Sequence, residues 1–217
     1  HMMFVKLIHK LARETHKIPM TALYEPQNFE NVDIVFDWTV CVWLFITEGC
    51  NCPIITATKD DFCYEVSIKN QSLVLNINKS KTEYQFDYAL QLNDWVCITL
   101  KVEPQNTALF INDEEKSVIT HQSFFINSAN FTFNSSRSIL LGAITIYNSI
   151  IKESLFTKGP RRIWKDPENT LSLAVRPHVH NNQIETEIYF SKKTKIHKEF
   201  KKAFPVMNFI DILCERC

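Results

Sequence analysis

Asn93-Asp94-Trp95-Val96-Cys97-Ile98-Thr99-Leu100-Lys101-Val102 is the stretch that decides the fold. From Trp95 onward the residues fall into two alternating sets. Val96, Ile98, Leu100 and Val102 are apolar throughout, and Trp95, Cys97, Thr99 and Lys101 oppose them. A period of two marks a β-strand, because successive side chains leave opposite faces of an extended chain. The same period runs outward from here, over about residues 29 to 147. Val32, Ile34 and Phe36 alternate with polar residues. Phe62, Tyr64, Val66 and Ile68 follow in a mixed pattern, then Leu73, Leu75 and Ile77. Thr39–Thr47 and Ser138–Tyr147 are nearly unbroken runs of β-branched and aromatic residues, which predicts central strands covered on both faces. Turn-forming clusters separate these runs at Glu48–Pro53, Lys59–Asp61, Asn78–Lys81, Pro104–Asn106, Asn112–Glu115 and Asn134–Arg137. Short strands at this spacing predict a mostly β, antiparallel sandwich or jelly roll, not βαβ units.

The ends read differently. Phe4, Leu7, Ile8 and Leu11 form one apolar stripe at helical spacing, predicting a helix over residues 3–17 that Pro19 ends. A membrane-surface helix is the sharper alternative for this stripe, which is short and lacks Trp. His1-Met2 reads as an expression remnant, so the chain is expected to be a segment of a longer protein. Ser149–Thr157 predicts a short helical turn closed by Lys158-Gly159-Pro160. Leu171–Val175 and Ile184–Phe190 predict two further strands joined by a His/Asn turn, followed by a basic stretch over Lys192–Lys202. Pro205–Cys217 predicts the start of another helix, with Met207, Ile210, Leu213 and Cys214 on its apolar side. The expected units are a helical edge and linker (1–28), the sandwich (29–160), a basic extension with additional strands (161–204) and the start of a following helical unit (205–217).

Composition excludes several functions. With 217 residues, 45% of them apolar, a real core is expected and global disorder is not. The longest apolar run, Ile139–Tyr147, is far too short to cross a bilayer. Lys+Arg and Asp+Glu are equal at 24 each, which argues against a nucleic-acid-binding domain. Gly numbers only 3, so Gly-rich phosphate loops are almost excluded. The neutral total hides an asymmetry. Residues 158–202 carry 11 Lys/Arg against 5 Asp/Glu, a net of +6, and residues 1–157 carry 12 against 17, a net of −5.

The seven cysteines do not form an even, regular disulfide framework, and no secretory-signal pattern opens the chain. The expectation is a reducing, cytoplasmic setting. Cys41, Cys63 and Cys97 lie in strand-like text as small hydrophobes. Cys50/Cys52 and Cys214/Cys217 are close pairs that a four-thiolate zinc site could use, but the first has the wrong spacing for most zinc ribbons. The plainer reading is two thiols in a turn and two at a helix end. His178-Val179-His180 places two imidazoles on one strand face, with no carboxylate or thiol beside them in sequence. Glu185-Thr186-Glu187 does the same for two acids, which more often marks a solvated strand face than catalysis. Sequons stand at Asn70, Asn78, Asn130 and Asn134 and gain meaning only if the protein is secreted.

The text Asn93–Leu100 followed by Thr107-Ala108-Leu109-Phe110-Ile111-Asn112-Asp113 resembles a recurring strand pair of concanavalin A-like domains, with Asp113 or Glu114 where Gly is usual. Ile139–Asn148 and the following turn resemble the closing strand and helix of that fold, which laminin G and pentraxin-like modules share. Leu155-Phe156-Thr157-Lys158-Gly159-Pro160 resembles the end of the lectin-like domain in the BEACH (beige and neurobeachin) family. There the sandwich sits between helical solenoid repeats. The resemblance implies a concanavalin A-like antiparallel β-sandwich with short flanking helices at both ends. It further implies a non-catalytic scaffold in vesicle trafficking and membrane dynamics, cytoplasmic and peripheral to membranes.

No catalytic, cofactor-binding or metal residue is assigned from sequence. A glycosidase of this fold needs an acid-rich strand motif that is missing, and no nucleophile elbow, phosphate loop or zinc-protease motif occurs. The competing class is a calcium-assisted, carbohydrate-binding laminin G-like module, with Asp94, Asn112 and Asp113 as possible oxygen donors. Protein partners and the flanking solenoid are the expected contacts, and carbohydrate stays open. Phe124, Phe125, Phe131 and Phe133 are the richest aromatic cluster; most should be core, and one or two exposed would mark a contact patch. Lys192, Lys193, Lys195, Lys198, Lys201 and Lys202 are the candidate contact for an acidic partner or anionic lipid, set against a solvated linker.

Overall fold

The computed structural model describes residues 21–23, 25–78, 82–151, 169–180, 183–192, 195–202 and 204–205; beyond residue 151 the only side chains described are Leu171 and Leu173. Within them run β1 (Thr21–Ala22), β2 (Gln27–Asp33), β3 (Trp38–Ile46), β4 (Cys52–Lys59), β5 (Phe62–Lys69), β6 (Ser72–Ile77), β7 (Glu83–Ala89) and β8 (Trp95–Val102). They continue as β9 (Asn106–Ile111), β10 (Glu114–Thr120), β11 (Ser128–Phe133), β12 (Ile139–Tyr147), β13 (Asn169–His180), β14 (Gln183–Lys192), β15 (Lys195–Lys202) and β16 (Phe204–Pro205). One sheet has the order β10-β9-β8-β3-β12-β13-β14-β15, the other β2-β11-β4-β5-β6-β7, and β1 pairs with β16. Every pairing is antiparallel, so the fold is a mostly β sandwich of two sheets, as the alternation requires.

Val96, Ile98, Leu100 and Val102 of β8 enter the core between the sheets, while Trp95 and Cys97 join a second apolar cluster on the sheet's other face. β3 divides in the same way, with Val40, Val42, Leu44 and Ile46 inside and Cys41, Trp43 and Phe45 on the far side. All nine positions of β3 and of β12 are buried, which is what their unbroken apolar runs predicted. In β12 the register against β3 shifts between Leu141 and Ile144, so two residues oppose one. Gly142 lies inside this bulge, and core positions change from 139/141 to 144/146 without leaving the sheet.

Four expectations need correction. Phe36 does not continue the strand of Val32 and Ile34: β2 ends at Asp33, and Phe36 lies exposed in the following loop. The basic stretch Lys192–Lys202 is not a linker. Lys195–Lys202 form β15, paired along its length with β14 at the edge of the larger sheet. Lysines on an edge strand discourage pairing with a further strand, a common role for charge at that position. Pro205 does not open a helix, since Phe204–Pro205 pair with Thr21–Ala22; a proline lacks only the amide hydrogen, which a short edge strand can spare. Ser149–Ile151 are irregular rather than helical. The predicted helix over 3–17, the remainder of the 149–157 turn and residues 206–217 lie outside the described residues.

The sheets are locked by aromatic packing. The Trp38 ring on β3 meets Tyr64 on β5 edge-to-face at 5.3 Å and Phe131 on β11 at 5.5 Å, both across the core. Such pairs contribute about 0.5–1.5 kcal/mol each beyond area burial. Beside them runs a polar chain. Tyr64 Oη donates to Thr107 Oγ1 at 3.3 Å, and Thr107 Oγ1 lies 3.0 Å from His121 Nε2. His121 Nδ1 lies 3.0 Å from the carbonyl of Gln122, which accepts only, so Nδ1 carries the hydrogen. In that tautomer Nε2 accepts from Thr107, and every donor in the chain is used once. Burial pushes the Tyr64 hydroxyl far above its ordinary value and the Thr107 bond offsets part of this, so Tyr64 remains a neutral donor. Thr107→Val removes the link while keeping the shape. It should cost about 1–3 kcal/mol, because it strands two buried polar groups. Urea unfolding followed by tryptophan fluorescence measures it, and an unchanged midpoint would show the chain to be dispensable.

Candidate functional site

At one end of the sandwich three connections converge: Ile34–Asp37 between β2 and β3, the two-residue Asp60–Asp61 turn between β4 and β5, and His121–Asn127 between β10 and β11. They enclose an open groove of about 590 Å³ lined by Val35, Phe36, Lys59, Asp60, Asp61, Phe62, Phe125, Ile126 and Asn127. Its floor is apolar. Phe36 is 63% exposed and Phe125 65%, and their rings meet edge-to-face at 5.4 Å. Val35 is 47% exposed beside them. Three large apolar side chains held in water at one spot cost free energy that single scattered ones do not, which marks a contact surface.

The rim is polar and fixed. Asp60 sits at φ 48°, in the left-handed region that Asp tolerates better than most residues, and this turns β4 directly into β5. Lys59 Nζ donates to Asn127 Oδ1 and, at 2.9 Å, to Ser128 Oγ, tying that turn to the loop carrying Phe125. Ile34 N donates to Asn127 O at 3.3 Å, joining the third connection. Underneath, Phe124 packs on Phe62 at 5.0 Å and stacks on His121 at 5.3 Å. Phe124 is therefore an anchor, and its neighbour Phe125 is left outside. The groove can hold a ligand with an apolar face and hydrogen-bonding edges. Its lining has two carboxylates on adjacent residues and no histidine or cysteine.

Of the four phenylalanines singled out, Phe124, Phe131 and Phe133 are buried and Phe125 alone is exposed. The candidate calcium donors are engaged locally. Asp94 Oδ1 accepts from Trp95 N at 2.7 Å, and Asn112 Oδ1 accepts from Cys97 N at 2.9 Å. Asp113 occupies the left-handed second position of the β9–β10 turn at φ 70°, taking the place of the usual Gly. Among the described side chains no group of three His, Cys, Asp or Glu stands together for a metal ion. Cys50 and Cys52, read as two thiols in a turn, are joined in a disulfide, their Cα atoms 5.7 Å apart. Cys41, Cys63 and Cys97 are buried, as expected of small hydrophobes. Asn70, Asn78 and Asn130 are exposed and Asn134 is half-buried.

The lysines do not form one cluster. Lys195 and Lys201 fall on one face of β15, Lys198 and Lys202 on the other, and Lys192 stands opposite Lys195. Lys193 lies outside the described residues. Sequence reasoning missed Val35, Phe36, Asp60 and Asp61 as site residues, because they read as strand and turn. The adjacent pair Phe124-Phe125 was the available signal: neighbours on an extended chain cannot both face one core.

No family model and no curated protein matches the chain. Among solved structures it is similar to the native heptameric SAP-like pentraxin of Limulus polyphemus, at 14% identity and a TM-score of 0.46, over 62% of this chain and 73% of that one. It is similar to galectin LEC-6 of Caenorhabditis elegans at 10% identity and a TM-score of 0.45, over 56% and 89%. A human galectin-16 variant shares 13% identity at a TM-score of 0.47, over 60% and 100%. The segment Leu155–Pro160, which carries the resemblance to BEACH proteins, lies outside the described residues.

The Lys59 tie should govern the order of the groove. Lys59→Ala should speed amide hydrogen exchange at Phe125–Asn127 at least severalfold while shifting global stability by about 1 kcal/mol or less, since the bonds are near the surface. Unchanged exchange in the loop would mean that Lys59 does not hold it.

Proposed function

We propose that the protein is a non-catalytic binding module that seats a saccharide in the loop-end groove. One observation carries this reading: the exposed Phe36–Phe125 pair faces the same open space as Asp60, Asp61 and Asn127. A pyranose ring has an apolar face of axial C–H groups and an equator of hydroxyls. The aromatic pair suits the first, and the carboxylate and amide rim suits the second, in line with pockets that combine an apolar lining with a few placed polar groups. The Oδ1 atoms of Asp94 and Asn112 already accept from the amides of Trp95 and Cys97, and neither residue lines the groove, so recognition there is proposed to be independent of calcium. The Cys50–Cys52 disulfide and the exposed sequons suit an oxidising, extracellular setting, where glycans are plentiful.

The scaffold role implied by the BEACH resemblance would use the same patch to hold a protein side chain, and the experiment separates the two. The chain is applied to a printed glycan array and hits are followed by calorimetry, with and without EDTA. Expected are one bound glycan class, no loss in EDTA, and at least a tenfold weaker Kd in Phe36→Ala/Phe125→Ala. Both residues are exposed, so this variant should fold as the parent does. Absence of any glycan binding, or binding that the double variant leaves intact, would sink the saccharide reading.

A further inference from the structure

Two sequence features that stood apart as unremarkable are brought together by the register of β13 and β14. The hairpin pairs Arg176 with Glu187, His178 with Glu185 and His180 with Gln183. Residues directly opposite in an antiparallel pair share a face, as do residues two apart along a strand. His178, His180 and Glu185 therefore occupy one face at the tip of the hairpin. Leu171 and Leu173 of β13 enter the core between the sheets. The odd positions of β13 belong to that side, and His178 and His180 belong to the other.

We propose that this hairpin tip is a binding site for a divalent transition-metal ion of the zinc class, built on His178, His180 and Glu185. Same-face neighbours along a strand lie about 6.7 Å apart. Directly opposite Cβ atoms lie about 4.5–5.5 Å apart. Glu185 is directly opposite one histidine and diagonal to the other, so the register sets three residues of metal-ligating type in adjoining positions. Two imidazoles and a carboxylate match the preference of zinc and its neighbours and leave a coordination position for water or a partner's ligand. The sequence concealed this because the histidines and the acid lie in different strands, and only the pairing of those strands makes them neighbours. The competing use of Glu185 is a cross-strand ion pair, since β15 sets Lys202 opposite it in the same row.

The test is calorimetric titration of the full chain with Zn²⁺ and Co²⁺ in the presence of a non-chelating reductant. One equivalent of ion should bind. His178→Ala and Glu185→Ala should each weaken it at least tenfold. His197→Ala should not, because His197 pairs with Phe190 on the opposite face of the same sheet. Glu185→Gln keeps the size and removes the charge, so loss in that variant is not a folding defect, and circular dichroism checks this. Binding of equal strength in the parent and in His178→Ala/His180→Ala overturns the proposal. So does a Co²⁺ spectrum with thiolate charge-transfer bands, which would place the ion on cysteine. Binding that tightens in Lys202→Ala supports it, because the lysine then no longer competes for Glu185.

Discussion

The Trp38 ring, held edge-on between Tyr64 and Phe131 of two strands in the facing sheet, is the contact on which the remaining structure depends. It is the first residue of β3, and it crosses from the larger sheet to the smaller. Its position in sequence matters as much as its size. Trp38 follows Phe36 by two residues, Tyr64 follows Asp61 by three, and Phe131 follows Asn127 by four. All three connections that form the groove thus enter their strands just before meeting at this knot. Fixing the spacing of the sheets also fixes the mouth. The polar chain Tyr64–Thr107–His121 extends the lock towards the β9–β10 edge, and Phe124 stacks on its last member.

Much of the sandwich was legible because it is written in local alternation. β8 and the fully buried β3 and β12 could be read directly, since a strand covered on both faces needs an unbroken apolar run. Where the parity argument failed, a local backbone event had intervened. Asn31, at a positive φ, lies in the register shift where the buried positions change from Phe29 to Val32, and beyond the end of β2 at Asp33 the chain turns before Phe36 could return to the core. The scarcity of glycine is part of the same pattern. Asn70, Gln71, Asn112 and Asp113 take left-handed turn positions that glycine usually fills, so the tight hairpins carry no glycine signal.

The groove was not legible for a different reason. Val35, Asp60 and Phe125 are far apart in sequence, and nothing local to any of them says that they share a space. The β13–β14 tip teaches the same lesson. Two histidines and an acid, each ordinary in its own segment, become neighbours once the register is known. Residue types and their strand faces can be read from sequence, but which faces meet is decided by pairing between distant segments.

The most direct measurement of the central claim is amide chemical-shift mapping on ¹⁵N-labelled protein titrated with galactose-, glucose- and mannose-terminated oligosaccharides. If the groove is the binding surface, shifts should concentrate at Val35–Asp37, Lys59–Phe62 and Phe125–Asn127, with the strands of the core unmoved. Saturable shifts confined to another surface, or none with any of the sugars, would contradict it.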